Sequence, residues 1–166
     1  DDNRGKSPKF FIFDYKKDFT APDSFTKEIF IDIIGGKLLR LFKLPINFFA
    51  LTETKEGEVP PLNEKFFKAR AFIDIILKIY PGAGPVQEAR LLEAIDNAYN
   101  FSTDNKITIY EVFESYRNQK NHKVDSVHNA LKNLTQSQIF ESDHDKIIPF
   151  SELFSTSCAL YLKDFD

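Results

Sequence analysis

Hydrophobic and polar positions alternate along this chain in two distinct rhythms. Near its start, Lys9-Phe-Phe-Ile-Phe-Asp-Tyr15 is a short, nearly continuous apolar run closed by a carboxylate, the pattern of a strand covered on both faces. Asp23 and Ser24 are N-cap residues for an amphipathic segment, Phe25 to Ile34, which Gly35-Gly36 ends by supplying a residue tolerant of positive φ. Lys37-Leu-Leu-Arg-Leu-Phe42 reads as a second strand, and Leu44-Pro-Ile-Asn47 turns the chain away. Strand, helix, strand predicts a βαβ unit with parallel strands and a right-handed crossover.

The rhythm changes after the polar, Pro-containing stretch 52–62, the best internal boundary. Asn63 is placed to cap a long helix to about Tyr80 whose apolar positions leave only a narrow polar stripe, the pattern of a central helix. Pro81-Gly-Ala-Gly-Pro85 breaks it, and Val86 to Tyr99 restarts with Leu91, Leu92, Ile95 and Tyr99 on one face, giving an αα-hairpin. Thr108 and Glu111 have capping-box spacing and open a third helix to about Asn118, and Asp125 caps a fourth carrying Val127, Ala130, Leu131 and Leu134. Ile139-Phe140, Ser142-Asp-His-Asp145 and Ile147-Ile148 suggest a small hairpin, and Cys158-Ala-Leu-Tyr-Leu162 a last buried strand. The expected class is therefore α/β and predominantly helical: two or three parallel strands with a helical insertion of about four helices and a small hairpin. The division is 1–51, 52–149 and 150–166.

Composition narrows the partners. With 22 basic and 25 acidic residues the net charge is −3, so attraction to nucleic acid or anionic lipid has to be local. No run reaches the roughly 18 apolar residues that span a bilayer, and one cysteine makes no internal disulfide, which points to a reducing, cytoplasmic setting without a membrane partner. The absence of methionine suggests a piece of a longer polypeptide.

Three constellations carry chemistry. Residues 100–111 imitate a calcium loop, with Asp104 and Glu111 as the formal charges, and 141–152 repeat it loosely. Position 6 is Asn105 or Lys146 where the sharp turn needs Gly, and Thr108 with Glu111 is equally a capping box, so no metal site is expected. The helices of 87–135 with the hairpin at 138–149 have the order of a winged helix-turn-helix, and Arg117, Lys120 and Lys123 place three cations in seven residues as candidate DNA contacts. Against this, the reading helix carries only Lys132, and Asp143 and Asp145 would sit on the wing tip, so packing between proteins or a hinge explains the segment better. His122, His128 and His144 lack metal-ligand spacing, and there is no nucleophile elbow or phosphate loop.

Phe10-Phe-Ile-Phe-Asp-Tyr-Lys-Lys-Asp18 resembles the strand after the Walker A helix in HerA/FtsK-type ATPases, which an Asp-x-Lys-Gly-Asp-like sequence ends. Leu44-Pro-Ile-Asn47, Ile79 to Gln87, Thr108 to Phe113 and Asp125-Ser-Val127 resemble the helical insertion of the DptH-like ATPase of phosphorothioation-dependent DNA restriction systems. The resemblance implies a segment lying between Walker A and Walker B of a DNA-translocating or restriction ATPase. Asp14 and Lys16 would be nucleotide-proximal, and Lys17 stands where the family has Gly. The segment itself would hold no cofactor, the parent would use Mg-ATP, and its partners would be other subunits of an ATPase ring, restriction-complex proteins and DNA.

Overall fold

The computed structural model describes residues 9–19, 21, 25–52, 61–103, 106–120 and 123–162. In chain order its elements are β1 (Phe11–Asp14), α1 (Phe25–Glu28) running into a π-helical turn (Ile29–Ile33), β2 (Lys37–Arg40), α2 (Glu64–Ile79), α3 (Pro85–Phe101), α4 (Ile109–Arg117), α5 (Ser126–Gln136), a 3₁₀ turn (His144–Lys146), α6 (Phe150–Leu153) and β3 (Cys158–Tyr161). The fold is α/β and mostly helical, with one small parallel sheet. Two compact units divide the chain: Asp1–Leu44 with Ile148–Asp166, and Pro45–Ile147.

The first unit holds the sheet, in the order β1-β3-β2, with both outer strands parallel to β3. The sequence predicts β1 and β2 as partners in a βαβ unit. They are parallel, but β3 lies between them. The reason is in the side chains: Cys158, Ala159 and Leu160 are buried and tolerate cover on both faces, whereas Lys37 and Arg40 keep the ends of β2 exposed, as an edge requires. The register sets Phe11 and Lys37 beside Cys158, and Asp14 and Arg40 beside Tyr161, so all three strands end in one row. After the π-helical turn, Gly35 takes φ +67°, as its place after a helix end predicts. Gly36 is required by packing: a Cβ there would fall 2.2 Å from the ring of buried Phe30. The expected caps Asp23 and Ser24 lie outside the described residues.

In the second unit the core gathers Phe49, Phe72, Ile73, Ile76, Leu91, Ile95, Tyr99, Ile107, Val112, Tyr116, Val127 and Leu131. Here α3 is the central helix, packing α2 on one side and α4 on another, and α4 in turn packs α5. The long α2, expected at the centre, is peripheral. Ala69, Phe72, Ile73 and Ile76 are buried, while Phe67, Ile75 and Ile79 face solvent, because one helix neighbour covers only one side of it. Asn63 precedes α2 in the left-handed region at φ 63°, without a capping hydrogen bond from its side chain. Instead the Glu64 carboxylate accepts the Thr52 N–H at 2.9 Å and the Thr52 hydroxyl at 2.7 Å. At α3 Pro85 takes the first position, and Gln87 reaches back to accept the Gly84 N–H at 3.1 Å. Buried Asn47 fastens the incoming chain: its amide donates to the Ile107 carbonyl at 2.7 Å and accepts the Phe49 N–H at 2.9 Å.

The hairpin expected at 138–149 is absent. Phe140 makes a lone bridge, and the 3₁₀ turn occupies the place of a strand. Buried Glu141 accepts the N–H groups of Ser142 and Asp143 at 3.0 and 3.1 Å, and Asp143 accepts that of Asp145 at 3.1 Å. Local carboxylates have taken the donors that a cross-strand ladder would use.

Candidate functional site

Asp14 closes β1 at the carboxyl edge of the sheet, where ligands of open parallel α/β sheets gather. It is buried, and its two oxygens accept the backbone N–H groups of Asp18 and Phe19, each at 3.1 Å. The carboxylate therefore braces the turn that follows the strand. Lys16 is exposed on that turn. Lys17 adopts φ 65°, so the residue at the glycine position of the resembling motif takes a glycine-like backbone conformation, with its ammonium 5.3 Å above the Tyr161 ring. The tight turn forms although the glycine is missing. Both Asp14 oxygens are thus engaged by backbone amides of the turn.

In the helical unit, a partly buried polar network ties α3 and α4 to the start of α5. Asp125 caps α5, accepting the His128 N–H at 2.9 Å. The same carboxylate accepts the Tyr116 hydroxyl at 2.9 Å and pairs with Arg90 at 3.3 Å, and the Arg90 guanidinium lies 5.0 Å above the Tyr116 ring. Gln119 completes the tie by donating to the Arg90 carbonyl at 2.7 Å. Burial first, then the hydrogen bond to Asp125, pushes the Tyr116 hydroxyl well above its ordinary pKa. Only the cap on Asp125 is visible in local spacing. Arg90 and Tyr116 reach it from two other helices.

Of the three cations proposed from sequence, Arg117 ends α4 and Lys120 and Lys123 lie on the connection to α5; all are exposed, and Arg117 is paired with Glu114 at 2.7 Å. His122, in the same connection, lies outside the described residues. A groove of about 860 Å³ runs beside α3 and α4, with Glu93, Glu111, Glu114, Lys120 and His144 on its walls. Its carboxylates are already engaged. Glu93 accepts from Gln119, Glu114 holds Arg117, and Glu111 serves the capping box.

The expected capping box forms at the end of the first calcium-like loop. The Thr108 N–H donates to Glu111 Oε2 at 2.7 Å, the Thr108 hydroxyl donates to the same oxygen, and Thr108 Oγ1 accepts the Tyr110 N–H at 3.2 Å. Burial raises the Glu111 pKa, but the Thr108 hydrogen bonds and the neighbouring His144, at 3.4 Å, outweigh it and hold the carboxyl below its ordinary value. Asp104 and Asn105 of that loop lie outside the described residues. Among the described residues, no helix is long and apolar enough to cross a membrane. No family model matches this chain, and no curated protein matches it.

Proposed function

We propose that the chain is a segment of a HerA/FtsK-type ATPase that drives DNA translocation or restriction, with the sheet unit as part of the nucleotide-binding core and the helical unit as its inserted subdomain. The observation that carries this reading is the sheet. Strands from the two ends of the chain, β1 and β3, lie side by side and parallel, and the whole helical unit falls between β2 and β3 in sequence. An open parallel sheet that places Asp14 at its carboxyl edge is the arrangement such ATPases use to meet a nucleotide. The turn at Lys17 supports it, because its left-handed backbone matches the conformation expected of the family's glycine.

The 166-residue chain alone is expected to bind no Mg-ATP, because the phosphate-binding loop supplies most of the amides that hold the anion. The test takes the complete reading frame that encodes this segment. A Walker A loop upstream of β1 and DNA-stimulated ATP turnover, reduced by Asp14→Ala, would support the proposal. A reading frame without that loop, or micromolar Mg-ATP binding by the 166-residue chain, would overturn it.

A further inference from the structure

We infer that the solvent face of α5, with Lys120 and Lys123 ahead of it, is a binding surface for double-stranded DNA, on which lysines hold phosphates and side-chain amides read base edges. Charge distribution carries the inference. Between Ser115 and Phe140 the sequence has Arg117, Lys120, Lys123 and Lys132 against a single acid, Asp125, in a chain whose overall charge is −3. That one acid is not presented to solvent as a free charge: its carboxylate is held by Arg90, the Tyr116 hydroxyl and the His128 N–H. Of the two carboxylates expected on a wing tip, Asp143 is engaged and Asp145 is exposed. Glu141 is turned onto backbone amides, and Asp143 is paired with Lys146 at 2.7 Å.

The exposed positions of α5 include Asn129, Lys132, Asn133 and Gln136, at i, i+3, i+4 and i+7 along one face. Asn and Gln make paired hydrogen bonds to adenine in the major groove, and a helix of this length, about 16 Å, fits within it. Val127, Ala130 and Leu131 anchor the opposite face in the core, so the amides stand on a fixed element. The same face argues for duplex DNA over other nucleic acids. It has no exposed aromatic residue to stack single-stranded bases, and the major groove of duplex RNA is too narrow for a helix.

This surface does not depend on the ATPase reading, since it needs neither nucleotide nor the sheet unit's edge. The test is fluorescence anisotropy of the 166-residue chain with mixed-sequence duplex DNA, followed by selection from a randomised duplex pool. Three phosphate contacts, from Lys120, Lys123 and Lys132, predict a log-log salt slope of about −2.7, so affinity should fall about 40-fold between 50 and 200 mM salt. The triple variant Lys120→Ala, Lys123→Ala, Lys132→Ala should abolish most low-salt binding, while Lys78→Ala on α2 should leave it unchanged. The triple variant Asn129→Ala, Asn133→Ala, Gln136→Ala should keep the salt slope and lose the preference that the selection reveals. Absence of duplex binding at 50 mM salt, binding indifferent to the three lysines, an amide variant that keeps the selected preference, or equal affinity for single strands would each overturn the inference.

Discussion

The two units differ in how completely each covers its own apolar surface. In the helical unit, aromatic and aliphatic side chains from α2, α3, α4 and α5 close over one another, and the polar groups among them are tied by Asn47, Tyr99 and the Arg90–Asp125–Tyr116 network. In the sheet unit, β3 is buried, but Phe13 is 60% exposed on β1, and Ile33 is 77% exposed beyond α1. Parallel sheets ordinarily have both faces covered by helices. The contrast teaches that a strand can be fully specified by burial at its centre while its edges keep apolar side chains in water. It also means that the helical unit has more of its stability within itself, which hydrogen exchange would register as slower opening of α3 and α4 than of β1.

The largest expected effect comes from removing the polar keystone of the helical unit. Asp125→Ala deletes the α5 cap and leaves Arg90 and the Tyr116 hydroxyl without their common partner in a mostly buried site. A loss of about 3 kcal/mol in the helical unit is expected, lowering its Tm by roughly 6–12 °C. A calorimetric shift under 2 °C would show that the network contributes little. In the sheet unit, Gly36→Ala forces a methyl group into the Phe30 ring, and overpacking of this kind costs about 1–3 kcal/mol. Exchange of the β2 and β3 amides should accelerate while that of α3 stays the same. Equal acceleration in both units would erase the distinction between them.

Next comes the capping box. Thr108→Ala should cost about 1 kcal/mol at neutral pH. Because the folded-state pKa of Glu111 is depressed, its contribution is complete above the unfolded carboxyl value and is lost as pH falls through the lower folded value. Chemical denaturation followed against pH should therefore show a loss on the acid side that Glu111→Gln reduces. An identical acid profile in that variant would rule out Glu111 as the source. The smallest effect is expected at Lys17→Gly, where relief of the left-handed backbone is offset by greater freedom of the unfolded chain and loss of the Tyr161 contact. Stability should stay within about 0.5 kcal/mol, and a loss above about 2 kcal/mol would make the ammonium–ring contact the main support of that turn.

The sequence by itself determined what is local: α3, α4 and α5, the caps of the last two at Thr108–Glu111 and Asp125, the stop at Gly35, and the apolar run that becomes β3. These follow from spacings of three or four residues, over which side chain and backbone meet whatever the rest of the chain does. The cations Arg117, Lys120 and Lys123 were visible in the same way, as composition along a loop. Tertiary structure alone decided which strand lies between the others, because β3 is separated from β2 by the whole helical unit and nothing in either strand names its neighbour. It also decided that α2 is peripheral, since an apolar face shows that a helix can be covered and not that a partner exists to cover it. The fate of 138–149 depended on competition: Glu141 and Asp143 capture nearby amides that a hairpin would have paired across strands. The same limit hid the engagement of Asp125, the one acid between Ser115 and Phe140, on which Arg90 and Tyr116 close from other helices.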